Sequence, residues 1–225
     1  MNTNKINRTV LLALSVAVPA ICETFPLDSV SGLKLAQVKA ETATYKGRKA
    51  VRVTDDAPST AGDAARLALV PNSQFQDGVI ELDMTGDVTP GAIQGARGFV
   101  GVVFRAAPDG SKFECFYLRP TNGRADDQVR RNHSVQYISV PGFPWQLLRE
   151  KFPEKYESYV DLQPGEWTPV RVVVKGDHAQ LFVHGATQPA LIVNDLKQPV
   201  SSGAVGLWVG PGTVAHFSNL RVTKP

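Results

Sequence analysis

Side chains able to do chemistry crowd into one stretch, residues 119–159, of a 225-residue chain. Arg119, Arg124, Arg130, Arg131 and Arg149 bring guanidinium groups, against Asp126 and Asp127 in the first part of the stretch. Such a mixture can hold a sugar by paired hydrogen bonds, grip an acidic substrate, or tie the segment to itself through internal ion pairs. Trp145, Tyr137, Phe143 and Tyr156 add flat amphipathic rings, suited to the apolar side of a pyranose or to anchoring the segment on its scaffold. His133, near the acidic pair, is a candidate general base, as is Asp127. No D-x-D or H-x-x-x-H spacing marks a metal site in this stretch, so no cofactor is expected. A divalent cation such as calcium is the ion that Asp126 or Asp127 could ligate. The expected ligand contacts are Arg119, Asn122, Arg124, Asp127, Arg131, His133, Gln136, Tyr137 and Trp145.

These groups need a scaffold, and the flanking sequence supplies strands. Residues 33–45, 48–54 and 66–70 read as strands, the last stopped by Pro71. Residues 78–86 (GVIELDMTG) alternate cleanly, with Ile80, Leu82 and Met84 on one face and Glu81, Asp83 and Thr85 on the other. Residues 97–105 are apolar on both faces, as a central strand covered on both sides would be. They form a hairpin with 112–119 through Pro108-Asp109-Gly110. Later strands fall at 169–175, 179–184, 191–194, 203–209 and 214–222. The intervening stretch is far longer than a hairpin needs, and its apolar residues argue for an ordered excursion. Within it Trp145, Leu148 and Phe152 follow helical spacing between Pro144 and Pro153, predicting a short helix. The fold class expected is all-β, a two-sheet antiparallel sandwich or jelly roll with one long loop excursion containing a short helix.

Composition sets the boundaries. With 43% hydrophobic residues, 19 Gly and 16 Pro, the chain suits one turn-rich β domain. No linker, repeat or charge block divides it. Lys5 and Arg8, then the apolar run 9–20, predict a secretory signal over residues 1–22, cut after Ala20 or Cys22, and a domain over 23–225. The run is too short for an ordinary membrane span, so the mature chain is expected to lack one and to be periplasmic or extracellular. Ile21 before Cys22 disfavours a lipid anchor at that cysteine. Without Lys5 and Arg8 the formal charge of +3 falls to +1, and no basic stripe is left for nucleic acid. Cys115, alternating with Phe113 and Tyr117, is expected to be a buried, unreactive thiol. His178, His184 and His216 fall at hairpins or strand starts and are expected at the surface.

The segments GVIELDM, GFVGVVFR, FECFYLRP, GEWTPVRVVVKG, AQLFVHG, GAVGLWVG and HFSNLRV, in that order, resemble the concanavalin A-like lectin/glucanase superfamily. The chain is more narrowly similar to laminin-G-like domains and to the bacterial domains named for 3-keto-disaccharide hydrolases. The resemblance implies a carbohydrate or other small polar ligand, or a glycoside-cleaving hydrolase or lyase, or a protein-interaction module of laminin-G type. Glucanases of the superfamily carry an E-x-D-x-E strand. Here Glu81 and Asp83 are followed by Thr85, so one carboxylate is missing and no retaining pair is expected.

Overall fold

The computed structural model describes residues 20–56 and 65–225. The expected leader, up to residue 19, and loop residues 57–64 lie outside that range. β1 (Ile21–Phe25) pairs with the C-terminal strand. Cleavage after Ala20 would therefore leave β1 whole, and cleavage after Cys22 would remove its first two residues.

The stretch read as one strand over 33–45 divides at Gln37, whose φ is 54°. β2 (Lys34–Ala36) and β3 (Val38–Tyr45) consequently enter different sheets. One residue in the left-handed region moves the chain between layers, without the Gly or Pro that would announce it. Lys46 and Gly47, both at positive φ, then turn β3 into β4 (Arg48–Asp55), the conformation that matches strand twist in a tight hairpin.

Pro71 does not end the next strand. β5 (Leu67–Phe75) runs through it because the register with its partner strand shifts there. Asn72 takes a φ of 60°, and Ser73 Oγ stands in for the lost ladder bond. It accepts from Val205 N at 2.9 Å and donates to Val70 O at 2.6 Å.

β6 (Gly78–Val88) follows its sequence pattern, with Ile80, Leu82 and Met84 buried between the sheets. β7 (Val100–Ala106) and β8 (Phe113–Leu118) form the expected hairpin. β6 crosses β7 closely at Gly86, where a Cβ would lie 2.2 Å from the Gly98 carbonyl oxygen and 2.9 Å from Val100 Cγ1. That contact puts Val100 on the core side, so Gly101 and its cross-strand neighbour Tyr117 point outward.

The excursion contains the expected helix, and most of the rest of it is also ordered. A 3-10 turn at Pro120–Asn122 leads to α1 (Gln128–Asn132). β9 (Val135–Val140) pairs with β8, α2 (Trp145–Lys151) follows, and β10 (Glu157–Ser158) pairs with β9 as the sheet edge. β11 (Thr168–Lys175), β12 (His178–Val183), β13 (Leu191–Val193), β14 (Gly203–Val209) and β15 (Thr213–Lys224) complete the chain.

Two antiparallel sheets result. The larger, of eight strands, runs β13-β12-β11-β6-β15-β4-β3 with β1 also on β15. The other, of seven, runs β10-β9-β8-β7-β14-β5-β2. Between them lie Val51, Leu82, Phe217 and Val172 from one side and Val102, Phe104, Phe116 and Leu207 from the other. The architecture is a jelly-roll β-sandwich. Among the described residues no helix is long and apolar enough to cross a membrane.

Candidate functional site

Sheet register assembles a polar cluster at the β10 edge of the seven-stranded sheet. Glu157 of β10 pairs with Gln136 of β9, and Gln136 pairs with Tyr117 of β8. Tyr117 points outward, so the whole row does, and Arg119, two residues on from Tyr117, joins it. α2 lies over β9 and brings Trp145 and Arg149 to the same place.

Arg119 is buried and fully engaged. Its Nη1 donates to the His133 carbonyl at 2.8 Å and faces Glu157 Oε1 at 3.4 Å. Its Nη2 donates to Tyr117 Oη at 2.8 Å and to Gln136 Oε1 at 3.1 Å. Arg149 makes a two-pronged contact with Glu157, its Nε donating to Oε2 at 2.9 Å and its Nη2 to Oε1. Gln136 is fixed in turn by donating Nε2 to the carbonyls of Tyr137 and Tyr156. His133 Nδ1 lies 2.9 Å from Glu157 Oε2 without the alignment of a hydrogen bond, and the contact is electrostatic. Trp145 is half-buried between two guanidiniums, with Arg149 Cζ at 4.5 Å and Arg119 Cζ at 5.9 Å from its ring centroid.

Burial holds the His133 pKa below its usual value; Arg149 and Arg119 add to that effect and Glu157 opposes it. The imidazole is therefore neutral at neutral pH. The Glu157 carboxylate is buried and clamped by two guanidiniums, and leaves the partly exposed His133, Trp145 and Arg149 at its rim to meet a polar ligand. It can also position a base.

The other expected contacts divide differently. Tyr137 is a correction: its ring faces the core, fully buried, where its hydroxyl donates to Glu114 Oε2 at 2.6 Å and accepts from Lys197 N at 2.8 Å. Alternation decides this, because Gln136 beside it points outward. Asn122 is also buried, donating Nδ2 to the His133 carbonyl at 3.2 Å and accepting from Arg130. Three charged residues tie the excursion to itself. Arg124 pairs with Asp161 at 2.7 Å, Arg131 donates to Tyr159 Oη at 2.9 Å, and Asp127 caps α1 by accepting from Arg130 N at 2.8 Å. Asp127 is exposed and capping a helix, whereas His133 lies against Glu157, so the two candidate bases part company.

Of the expected contacts the cluster thus retains Arg119, His133, Gln136 and Trp145. It adds Tyr117, Arg149 and above all Glu157, which sequence reasoning missed. The signal for Tyr117 was its spacing from Arg119 in FECFYLRP; Glu157 carried none beyond a lone acid among tyrosines. Among the described residues no three His, Cys, Asp or Glu side chains come close enough to hold a metal ion.

His216 is a further correction. It is buried on β15, stacked on Tyr45 with ring centroids 4.0 Å apart. Cys115 is buried as expected. Glu81, Asp83 and Thr85 share a face of β6, and Thr85 lies 3.5 Å from His216 Nδ1.

No protein-family model and no curated protein matches the sequence. Solved structures do match the fold. A protein of unknown function with a galectin-like fold from Bacillus subtilis is 13% identical, with a TM-score of 0.58, covering 89% of this chain and 94% of that one. A carbohydrate binding module from Bacillus subtilis is 15% identical, with a TM-score of 0.53 and coverage of 84% and 96%. A beta-1,3-1,4-glucanase (lichenase) derived from a mouse hindgut metagenome is 13% identical, with a TM-score of 0.52 and coverage of 91% and 99%. The two antiparallel sheets and these likenesses together show a jelly-roll β-sandwich fold.

Proposed function

We propose that the protein is an exported carbohydrate-binding domain whose ligand docks at the cluster of Arg119, His133, Gln136, Trp145, Arg149 and Glu157. The observation that carries this reading is the Glu157 carboxylate, held by two guanidiniums on the outer side of a sheet and set beside a half-buried indole. Sugars are recognised by that combination, a flat amphipathic ring for the pyranose face and fixed charged groups for its hydroxyls. The fold is one that a carbohydrate binding module also has. Arg124 and Arg131 have left this set, because Asp161 and Tyr159 hold their guanidiniums.

A glycan array followed by calorimetry tests the reading. Trp145→Ala and Arg149→Ala are expected to weaken binding of the best ligand about tenfold or more each. Unchanged affinity in both variants, or no ligand on the array, contradicts it.

A second reading, a glycoside hydrolase or lyase, is favoured by His133. A neutral imidazole against a carboxylate, with two arginines near, is equipped to take a proton while they offset developing negative charge. Turnover of an oligosaccharide lost in His133→Ala and kept in Asp127→Ala supports it. Turnover that survives His133→Ala removes the residue from the chemistry.

A further inference from the structure

The outer face of the eight-stranded sheet carries a separate constellation. Register lines up Arg221 of β15, Glu81 of β6, Arg171 of β11 and Phe182 of β12 in one row. Glu81 alternates with the inward-pointing Ile80 and Leu82, so the row points away from the core. β15 bulges between Ser218 and Arg221, with Asn219 at a φ of 56°. Bulges re-aim the side chains that follow them, and this one sets Arg221 opposite Glu81. A groove of about 330 Å³ opens over the row, floored by these side chains and walled by Gly185, Ala186 and Thr187. That volume lies at the lower end of the ~300–1,000 Å³ usual for small-molecule sites.

The charges in the groove are unequal in their commitments. Asp83 is taken, by Arg48 Nη1 at 2.7 Å and Asn219 Nδ2 at 2.8 Å. Glu81, Arg171 and Arg221 form no ion pair or side-chain hydrogen bond among the described residues, although register makes them neighbours. Arg171 instead lies over Phe182, its Cζ 3.7 Å from the ring centroid. This arrangement is the reverse of the Glu157 cluster, where the guanidiniums are spent. A row of cation, anion and cation left unpaired asks for a ligand that brings an acid and hydrogen-bond donors side by side.

We infer that this groove binds a carboxylate-bearing saccharide, its carboxylate taken by the Arg221 or Arg171 guanidinium and its hydroxyls donating to Glu81. The site is independent of the one near Glu157 and stands if that one fails. Calorimetry on the full chain with a uronic-acid trisaccharide and a neutral trisaccharide of the same linkage tests it. The acidic sugar is expected to bind at least about tenfold more tightly than the neutral one, with Arg221→Gln and Arg171→Gln each costing about tenfold. Glu81→Gln weakens binding as well, while Trp145→Ala leaves it unchanged. An unaltered thermal midpoint in each variant shows that the fold is kept. No heat with the acidic sugar at millimolar concentration overturns the inference, as do equal affinity for the neutral sugar or twofold or smaller losses in both arginine variants. Loss of acidic-sugar binding in Trp145→Ala would assign that ligand to the other face and overturn it too.

Discussion

At the scale of single residues, identity and environment diverge most at Asp127 and His133, read from sequence as interchangeable bases. Asp127 is a helix cap. Asp127→Ala is expected to cost about 1 kcal/mol by thermal or urea unfolding, with sugar binding kept within about twofold. His133 and His216 are both held below the usual histidine value of 6.5, each by burial first. The unfolded chain therefore takes up protons near pH 6.5 that the folded chain refuses. Stability from these groups is complete above that pH and falls as pH drops toward their folded values. Glu114 acts in the opposite sense: burial raises its pKa, so its contribution is whole at low pH and lost as pH rises. Comparing variants isolates the histidines. His133→Gln and His216→Gln should each flatten the fall in thermal midpoint between about pH 7 and pH 5. An unchanged slope in both would show that neither imidazole is kept neutral by the fold.

At the scale of elements, β6 and the β7–β8 hairpin were legible because their apolar residues alternate or run continuously between turn signals. α2 was legible because Trp145, Leu148 and Phe152 keep helical spacing between prolines. Two features were not. Gln37 switches sheets and Pro71 sits inside a strand, and both depend on cross-strand partners remote in sequence. Ser73 is the residue that makes the second tolerable, fully buried with Oγ bonded to both chains of the ladder. Ser73→Ala should therefore cost about 1–3 kcal/mol in chemical unfolding, since it leaves a buried amide and carbonyl short of partners. A cost near zero would mean that the bulge is held by register alone. The excursion follows the same logic. Its rings were readable as anchors or contacts, but only the pairing of β9 with β8 decides that Gln136 faces out and Tyr137 faces in.

At the scale of the whole molecule, the sandwich joins two sheets that come into close contact where Gly86 meets Gly98 and Val100. Gly86→Ala forces a Cβ against backbone, and a loss of about 1–3 kcal/mol in a single cooperative transition is expected. The fold was legible in the sequence because strand alternation and turn chemistry are local. The candidate site was only half legible, because Glu157 and Arg149 join Arg119 through sheet edge and helix packing that no spacing encodes. The two outer faces now carry distinct assignments, and the chain's three tryptophans report on them separately. Trp145 lies in the Glu157 cluster, Trp167 stacks with Arg48 beside Asp83, and Trp208 packs on Tyr117. Titrating the isotope-labelled protein with the best array ligand while following the indole N–H signals is the most direct test of carbohydrate binding at the cluster. Binding at the cluster should give a saturable shift of the Trp145 indole signal that disappears in Arg149→Ala; a saturated complex in which Trp145 does not move would contradict it.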